Sequence, residues 1–449
     1  MERDLILKYI RLDEDEYGRR RRMFDYYNEK QDILKREQKD ASKPNNRIAH
    51  SYPRMIANAY NGYMFGKPVT YGAQDEELNQ RIQNTFKYND EEAQNSSIGL
   101  DMGICGVGVE VHYTDANGMD RFCAVDPVGC IDVRDDTIEN NLVALIRYYD
   151  VLDVADGKTT RMVEVLDDKF RELYRQDGSE LIQVSQTEHG YQDVPAVIWE
   201  NNKFRTGDFE PVMTEIDAYN IMQSESLNDQ QYFTDALLAL KGLEGTTPEG
   251  IAEMKEERVL LLPVDSDVSW LIKQQSDQLP ENIKNRLNED IHKFSGCPDM
   301  GDDSFAGNAS GVALKYKLLG FEINASAKQR GIKKALQRRL ELLCNIWSVK
   351  GAGKWDWRDV QISFKRALPE NLLEISQMLS NFGNLLSDET KRSMIPIDLD
   401  EETEKQRLEE QSRLGLGLFS ASERMLGELE PDAGDNNPDP AEGDGMNGE

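Results

Sequence analysis

From Asp302 to Trp347 the chain joins a short polar, glycine-containing run to one uninterrupted helical pattern. No other feature restricts the fold as much. The run DDSFAGNASGVALKYK (Asp302–Lys317) holds Ser304, Gly307, Asn308, Ser310 and Gly311, residue types that favour a loop. Ala313, Tyr316, Leu319, Ile323 and Ala327 then recur at helical spacing, and Ala335, Leu340, Leu343 and Trp347 continue it. At 1.5 Å per residue such a rod is roughly 55 Å long, too long for one ordinary compact domain to cover. Two more helical patterns precede the loop, at about 211–241 and 280–296, with a strand-bearing insert between them. Three rods, an insert and a loop imply a subunit of a large ring rather than an enzyme.

Charge narrows the partners. The 449 residues carry 53 Lys and Arg against 83 Asp and Glu, a formal net charge of −30. Such a surface is well solvated and poorly suited to clamping nucleic acid by counterion release. No stretch approaches the ~18 consecutive apolar residues of a membrane span. The start, MERDLILKYIRLDEDEYGRRRR, is too charged for a secretory signal. Five scattered cysteines (Cys105, Cys123, Cys130, Cys297, Cys344) form no CxxC pair and read as reduced, mostly buried thiols. The four histidines (His50, His112, His189, His292) are too dispersed for a metal cluster.

Along the chain, residues 1–40 are charged and helical in pattern, and the basic run Arg19–Arg22 is expected to pair with neighbouring acids. A turn at Ser42–Asn46 precedes a helix expected over roughly 46–65, stopped by Gly66-Lys67-Pro68. Another helix or helix pair fills about 75–102. Residues 104–200 switch to short Val/Ile/Tyr/Phe runs separated by hairpin signals such as Asp115-Ala116-Asn117-Gly118, Asp156-Gly157 and Asp177-Gly178, which predicts an antiparallel β-rich domain. Gly103-Ile104-Cys105-Gly106-Val107-Gly108 lacks the spacing of a dinucleotide loop, and its glycines are read as letting a strand bend. The helix expected at 211–241 has an almost wholly polar middle, Gln223–Gln231, so it either spans solvent or packs in a polar interface. Arg258–Leu262 and Val268–Ile272 read as strands, and Val259, Leu260, Leu261 and Leu262 form an apolar run expected to pair between subunits. Helix 280–296 opens at Pro280.

Between Lys315 and Arg339 the rod carries eight bases and one acid, Glu322. Lys328, Arg330, Lys333, Lys334, Arg338 and Arg339 are expected to meet carboxylates of an adjoining subunit. A strand at Val360–Phe364 and helical patterns near 369–383 and 400–427 follow. The last twenty residues hold seven acids and no base, with Pro and Gly throughout, which predicts a disordered tail. The chain shows no P-loop, GxSxG, HExxH or kinase set. Asp132, Asp135 and Asp136 read as solvated acids of a turn between strands. No enzyme activity and no cofactor are expected.

Many ordered matches now point one way. Asn45-Asn46-Arg47, Tyr63 through Tyr71 (YMFGKPVTY), Asp126-Pro127, Ala144–Tyr149, HGYQDVPAVIWENN (His189–Asn202), Gly207–Val212, DDSFAGNASGVALKYK, Leu368–Asn371 and Ser387–Thr390 together resemble tailed-phage portal proteins of the SPP1-like family. The resemblance runs from about residue 20 to 415. It implies an α+β, mainly helical portal fold. Residues 1–210 correspond to a wing with helices and a β-rich part, 211–242 and 280–296 to two stem helices, and 243–279 to a small α/β clip. Residues 297–310 correspond to the tunnel loop, 311–365 to the long wing helix and closing strand, and 366–427 to a helical crown, ahead of the acidic tail at 428–449.

That resemblance also implies a homo-oligomeric ring of about twelve subunits at one capsid vertex, a virion component assembled in the host cytoplasm. Double-stranded DNA would be packaged through it by the large terminase subunit and later ejected, without sequence specificity and with no membrane involved. Major capsid and scaffolding proteins and a head-completion adaptor are the implied partners. Within the loop, Asp302, Asp303, Ser304, Phe305 and Asn308 would face the DNA: the acids repel phosphates and Phe305 is the bulky apolar residue between flexible glycines. The alternative is a capsid-associated adaptor or minor head protein that forms no channel.

Overall fold

The computed structural model describes residues 1–38, 43–154, 157–234, 237–241, 267–271, 278–299, 316–367 and 372–382, with a few isolated positions besides. The chain divides into two units, Met1–Leu368 and Pro369–Glu449. In the second, a helix at Leu372–Phe382 is described, inside the expected 369–383. Helix and antiparallel sheet are mixed throughout the first, as an α+β chain requires.

The N-terminal pattern forms two helices, α1 (Arg3–Leu12) and α2 (Glu14–Tyr27). The next, α3, spans Tyr52–Phe65 rather than beginning near residue 46. Pro53 sits in its first turn, where a missing N–H costs nothing. Strand β1 (Thr70–Gly72) leads into α4 (Glu76–Asn89) and α5 (Glu91–Cys105). The Asp75 side chain caps α4 by accepting from the Leu78 N–H at 2.9 Å.

The β-rich part follows the expected runs closely. Strands β2 (Val107–Thr114) and β3 (Asp120–Val125) precede β4 (Cys130–Arg134), β5 (Leu142–Leu152), β6 (Thr159–Leu166), β7 (Phe170–Asp177), β8 (Glu180–Glu188) and β9 (Ala196–Glu200). They make an antiparallel three-stranded sheet, β3-β2-β9, and a five-stranded meander, β4-β5-β6-β7-β8. Gly118, Gly157 and Gly178 occupy left-handed conformations in the predicted hairpin turns. One strand was not expected: Cys130–Arg134 lies where the sequence reads as a turn, and it pairs with β5 through Arg134. One face of the five-stranded sheet is covered by α1, with Ile6 against Ala144, Ile146, Val163 and Val165.

After β9 come α6 (Met213–Thr234), β10 (Leu237–Lys241), β11 (Asp267–Leu271) and α7 (Gln278–Ser295). The stem-type helix expected over 211–242 is therefore shorter. Its terminal apolar run Leu237–Leu240 is a strand paired with β11, from Leu237 opposite Leu271 to Lys241 opposite Asp267. A short apolar run has no periodicity to separate strand from helix.

The polar middle of α6 packs in a polar interface. Asn220, Ser224 and Asn228 lie one turn apart and are buried. Their side-chain oxygens accept from the backbone N–H groups of His50 (3.0 Å), Ile48 (3.0 Å) and Asn46 (2.7 Å). Four helical residues rise ~6 Å and two extended residues ~6.6 Å, so every helical turn meets every second amide of an extended strap. This ladder is why residues 46–50 are not helical. Their N–H groups are satisfied by α6 instead of by an earlier turn of α3.

The long helix α8 (Leu319–Val349) is about 46 Å long. Its second half is core, with Ala335, Leu336, Leu340, Leu343, Ile346 and Trp347 buried. Its first half is not buried where periodicity placed the apolar face. Tyr316, Leu319 and Ile323 are exposed, and Leu318, Phe321, Ala325 and Ile332 face inward. Strand β12 (Gln361–Ser363) closes the unit by pairing with β1.

Candidate functional site

Two of the three predicted sites, the loop residues Asp302, Asp303, Ser304, Phe305 and Asn308 and the apolar run Val259–Leu262, lie outside the described residues. The third, the basic face of α8, is described and separates into two sets. Arg330, Lys333 and Lys334 are exposed. Lys328, Arg338 and Arg339 instead find carboxylates within their own chain, which corrects the expectation of partners in an adjoining subunit. Lys328 is buried, its Nζ 2.6 Å from Asp208 and 4.9 Å from the Tyr60 ring centroid. Arg338 reaches Asp193 and Glu341, each at 2.8 Å. On a 3.6-residue helix Lys328 and Arg339 fall together, while Arg330, Lys333 and Lys334 fall on the far side from them, so the six bases form no single stripe.

Arg339 is the most enclosed cation, with no exposed surface. Its Nε and Nη2 donate to the two oxygens of Glu110 at 2.9 and 2.7 Å, and Nη1 donates to Glu91 at 3.2 Å. The guanidinium stacks 4.3 Å from the Phe122 ring centroid and 5.4 Å from that of Trp199. Glu110 also accepts from Trp199 Nε1 at 3.1 Å and contacts His112 Nε2 at 2.8 Å. Burial alone would push the Glu110 carboxyl up, but the Arg339 charge and the bonds from His112 and Arg339 outweigh it and hold it at about 2. The network ties α8 to β2, α5 and β9. It is a structural bolt, and of its carboxylates Glu91 also borders a cavity of about 520 Å³.

Beside it, the segment between β9 and α6 docks on the α5–β2 junction. Asp208 donates its N–H to the Gly103 carbonyl at 2.7 Å, and Asn201 donates to that of Gly106 at 3.0 Å. A Cβ on Gly207 would lie 2.2 Å from the Ile104 carbonyl oxygen. The glycines of Gly103–Gly108 thus admit a second backbone, and Gly103 itself is helical. Asp132 is partly buried rather than solvated and makes a two-bond pair with Arg205 at 2.8 and 2.7 Å. Asp135 and Asp136 are the loop acids of that trio: Asp136 is exposed, and Asp135 accepts from the N–H groups of Thr137 and Asn141. Arg134 also donates to Asp132 at 2.7 Å, but no local signal announces the second partner, Arg205, which lies far away in sequence.

A cavity of about 390 Å³ between α2, α5 and β3 is lined by Asp101, Asp126, Asp25 and Arg21. Burial, reinforced by the charge of Asp126, pushes the Asp101 carboxyl from its ordinary 3.8 to about 7. A raised folded-state pKa favours the protonated form. Stability from this group is therefore complete below about pH 4, declines as the pH rises toward about 7, and is constant above. Asp101→Asn is expected to remove that decline and to stabilise the protein at pH 8 by about 1–2 kcal/mol, partial exposure having been allowed for. Urea midpoints from pH 4 to 8 measure it. A constant gap between variant and wild type would show that Asp101 titrates normally.

All five thiols are unpaired and four are buried. Burial holds Cys105, Cys130, Cys297 and Cys344 up at about 12, well away from reactivity. Among the described residues no group of three or more His, Cys, Asp or Glu is placed to hold a metal, and no helix is long and apolar enough to cross a membrane. The molecule is organised around buried ion pairs, a polar ladder and long helices. The family model for phage portal proteins of the SPP1 Gp6-like type matches residues 6–414, nearly the whole chain.

This chain belongs to that portal family. The resemblance read from the sequence therefore holds. A portal protein of Clostridium phage phiCD119 is 24% identical over 415 residues, covering 86% of this chain and 91% of that one. The portal protein of Bacillus phage SPP1 is 23% identical over 392 residues, covering 83% of this chain and 77% of its own.

Proposed function

We propose that this protein is one subunit of a ring set in a single capsid vertex, through which double-stranded DNA is packaged by the terminase motor and later ejected, and to which tail adaptors attach. The observation that carries the reading is the family match across residues 6–414 together with the element order. A helix (α6), an insert, a second helix (α7), a segment whose sequence reads as a loop and a long helix (α8) follow along the chain, the order of stem, clip, stem, tunnel loop and wing helix. The charge of −30 supports it, since a conduit must let phosphates slide rather than hold them. On this reading Asp302, Asp303 and Phe305 line the narrowest aperture, Val259–Leu262 pair between clips, and the exposed Arg330, Lys333 and Lys334 meet carboxylates of the next subunit. No catalytic step is assigned to it.

Mass photometry of the purified chain is expected to show a closed oligomer of about twelve copies, and negatively stained images a ring with a central hole. Monomers or dimers at every protein and salt concentration would end this reading. Closed particles without a hole would point to the non-channel adaptor.

A further inference from the structure

The loop joining β9 to α6 holds one bulky apolar side chain out in solvent. Phe204 is 80% exposed, yet the backbone beneath it is fixed. Asn202 Oδ1 accepts from the N–H groups of Phe204 (3.0 Å) and Thr206 (3.2 Å), and Asn202 Nδ2 donates to the Thr206 carbonyl at 2.9 Å. Next to Phe204, Arg205 has φ 54°, a left-handed conformation that disfavours a long side chain. It is kept there by two bonds to Asp132 and two to Glu200, at 2.7–3.1 Å. Arg19 Nη2 adds a bond to the Arg205 carbonyl at 3.1 Å. A strained residue persists only where its surroundings over-determine it, and such sites are often functional. Here the visible result is a fixed loop displaying Phe204 beside the exposed Lys203, whose Nζ lies 6.0 Å from the ring centroid.

The same chain carries a cavity whose chemistry matches. It measures about 520 Å³ and lies between β1, α4 and the start of α5. Val69, Tyr71 and Phe86 form its apolar floor, and Asp90 and Glu92 stand exposed at its rim. Lys87 is the one cation among its lining residues. A second cavity, beside Tyr88 and Met119, balances two cations, Arg81 and Lys350, against two acids, Glu77 and Asp120, and so offers Lys203 no net negative wall.

We propose that Phe204 and Lys203 of one copy seat in this cavity of a second copy, the ring against Tyr71 and Phe86 and the ammonium against Asp90 and Glu92. The inference rests on the ring reading above. A knob and a hole at different places on one chain make a heterologous contact, which propagates from copy to copy and closes into a ring where the rotation allows. Presenting Phe204 on a pre-fixed loop lowers the ordering cost of docking, so an exposed aromatic there acts as an anchor.

The test uses the full chain. Phe204→Ala removes an exposed side chain, so its thermal melting should match wild type while assembly, read by mass photometry over a dilution series, weakens at least about tenfold. Lys203→Glu should weaken assembly too, and Glu92→Lys in the same chain should restore it. Oxidising a Lys203→Cys, Glu92→Cys variant should give a ladder beyond dimer on a denaturing gel, with neither substitution alone nor the wild-type chain doing so. Phe204→Ala rings indistinguishable from wild type would overturn the inference and leave the ring reading intact. So would crosslinked dimers alone, which mean a face-to-face contact, or a failure of Glu92→Lys to rescue. A wild-type chain that never assembles would sink the ring reading and this contact with it.

Discussion

Arg339→Ala is expected to cost the folded chain about 3–5 kcal/mol, because removing one partner of a buried pair strands the other. Glu110 has no exposed surface, and Glu91 is 6% exposed, so neither carboxylate can recover its lost partner from water. The variant also loses the stacking on Phe122 and Trp199. Chemical denaturation should show the loss, and the melting temperature should fall by roughly 10 °C. A double variant, Glu110→Gln with Arg339→Met, should be less destabilised than the sum of its parts by ~1–3 kcal/mol, since it removes one of the two stranded charges while the amide replacing the carboxylate can still accept from Trp199. Because Arg339 is enclosed by its own chain, the defect should appear in isolated subunits as well as in any assembly. An Arg339→Ala chain within about 1 kcal/mol of wild type would show that the network contributes little to stability.

Gly106→Ala is expected to be nearly as damaging for a different reason. Gly106 sits at φ 90°, and a Cβ there would lie 1.8 Å from the Arg205 carbonyl oxygen, 2.2 Å from its carbon and 2.8 Å from the Thr206 nitrogen. All three are backbone atoms, in a loop fixed by Arg205, Asn202 and Asn201. The methyl must displace that loop, with a cost on the order of 3 kcal/mol or more, or a fall in soluble yield. Gly118→Ala is the matched control. Gly118 also has positive φ, 78°, but nothing lies within 4 Å of its Cβ position, so only the backbone preference of ~1 kcal/mol applies. Equal effects at the two glycines would mean that the Arg205 loop yields freely, and would weaken the case for a fixed Phe204.

Sequence by itself determined what is local and periodic. Hairpin signals at Asn117-Gly118, Asp156-Gly157 and Asp177-Gly178 placed the β-rich part, because left-handed turns are written in glycine. Helical spacing placed α7 and the buried second half of α8, and the polar stretch Gln223–Gln231 announced an unusual helix surface. The ordered matches along the chain announced the portal family. Tertiary structure alone decided which way each of these faced. Whether Lys328 and Arg339 point inward or Arg330 and Lys334 outward depends on Asp208 and Glu110, more than a hundred positions away. Asn46–His50 became a strap instead of a helix because α6, some 180 residues later, offers acceptors at matching intervals. Leu237–Leu240 became a strand because β11 supplies the partner amides. Asp132 was drawn inside by Arg205. Periodicity reports the choice between helix and strand within a few neighbours, whereas the burial of a charge is settled by whichever distant group compensates its desolvation.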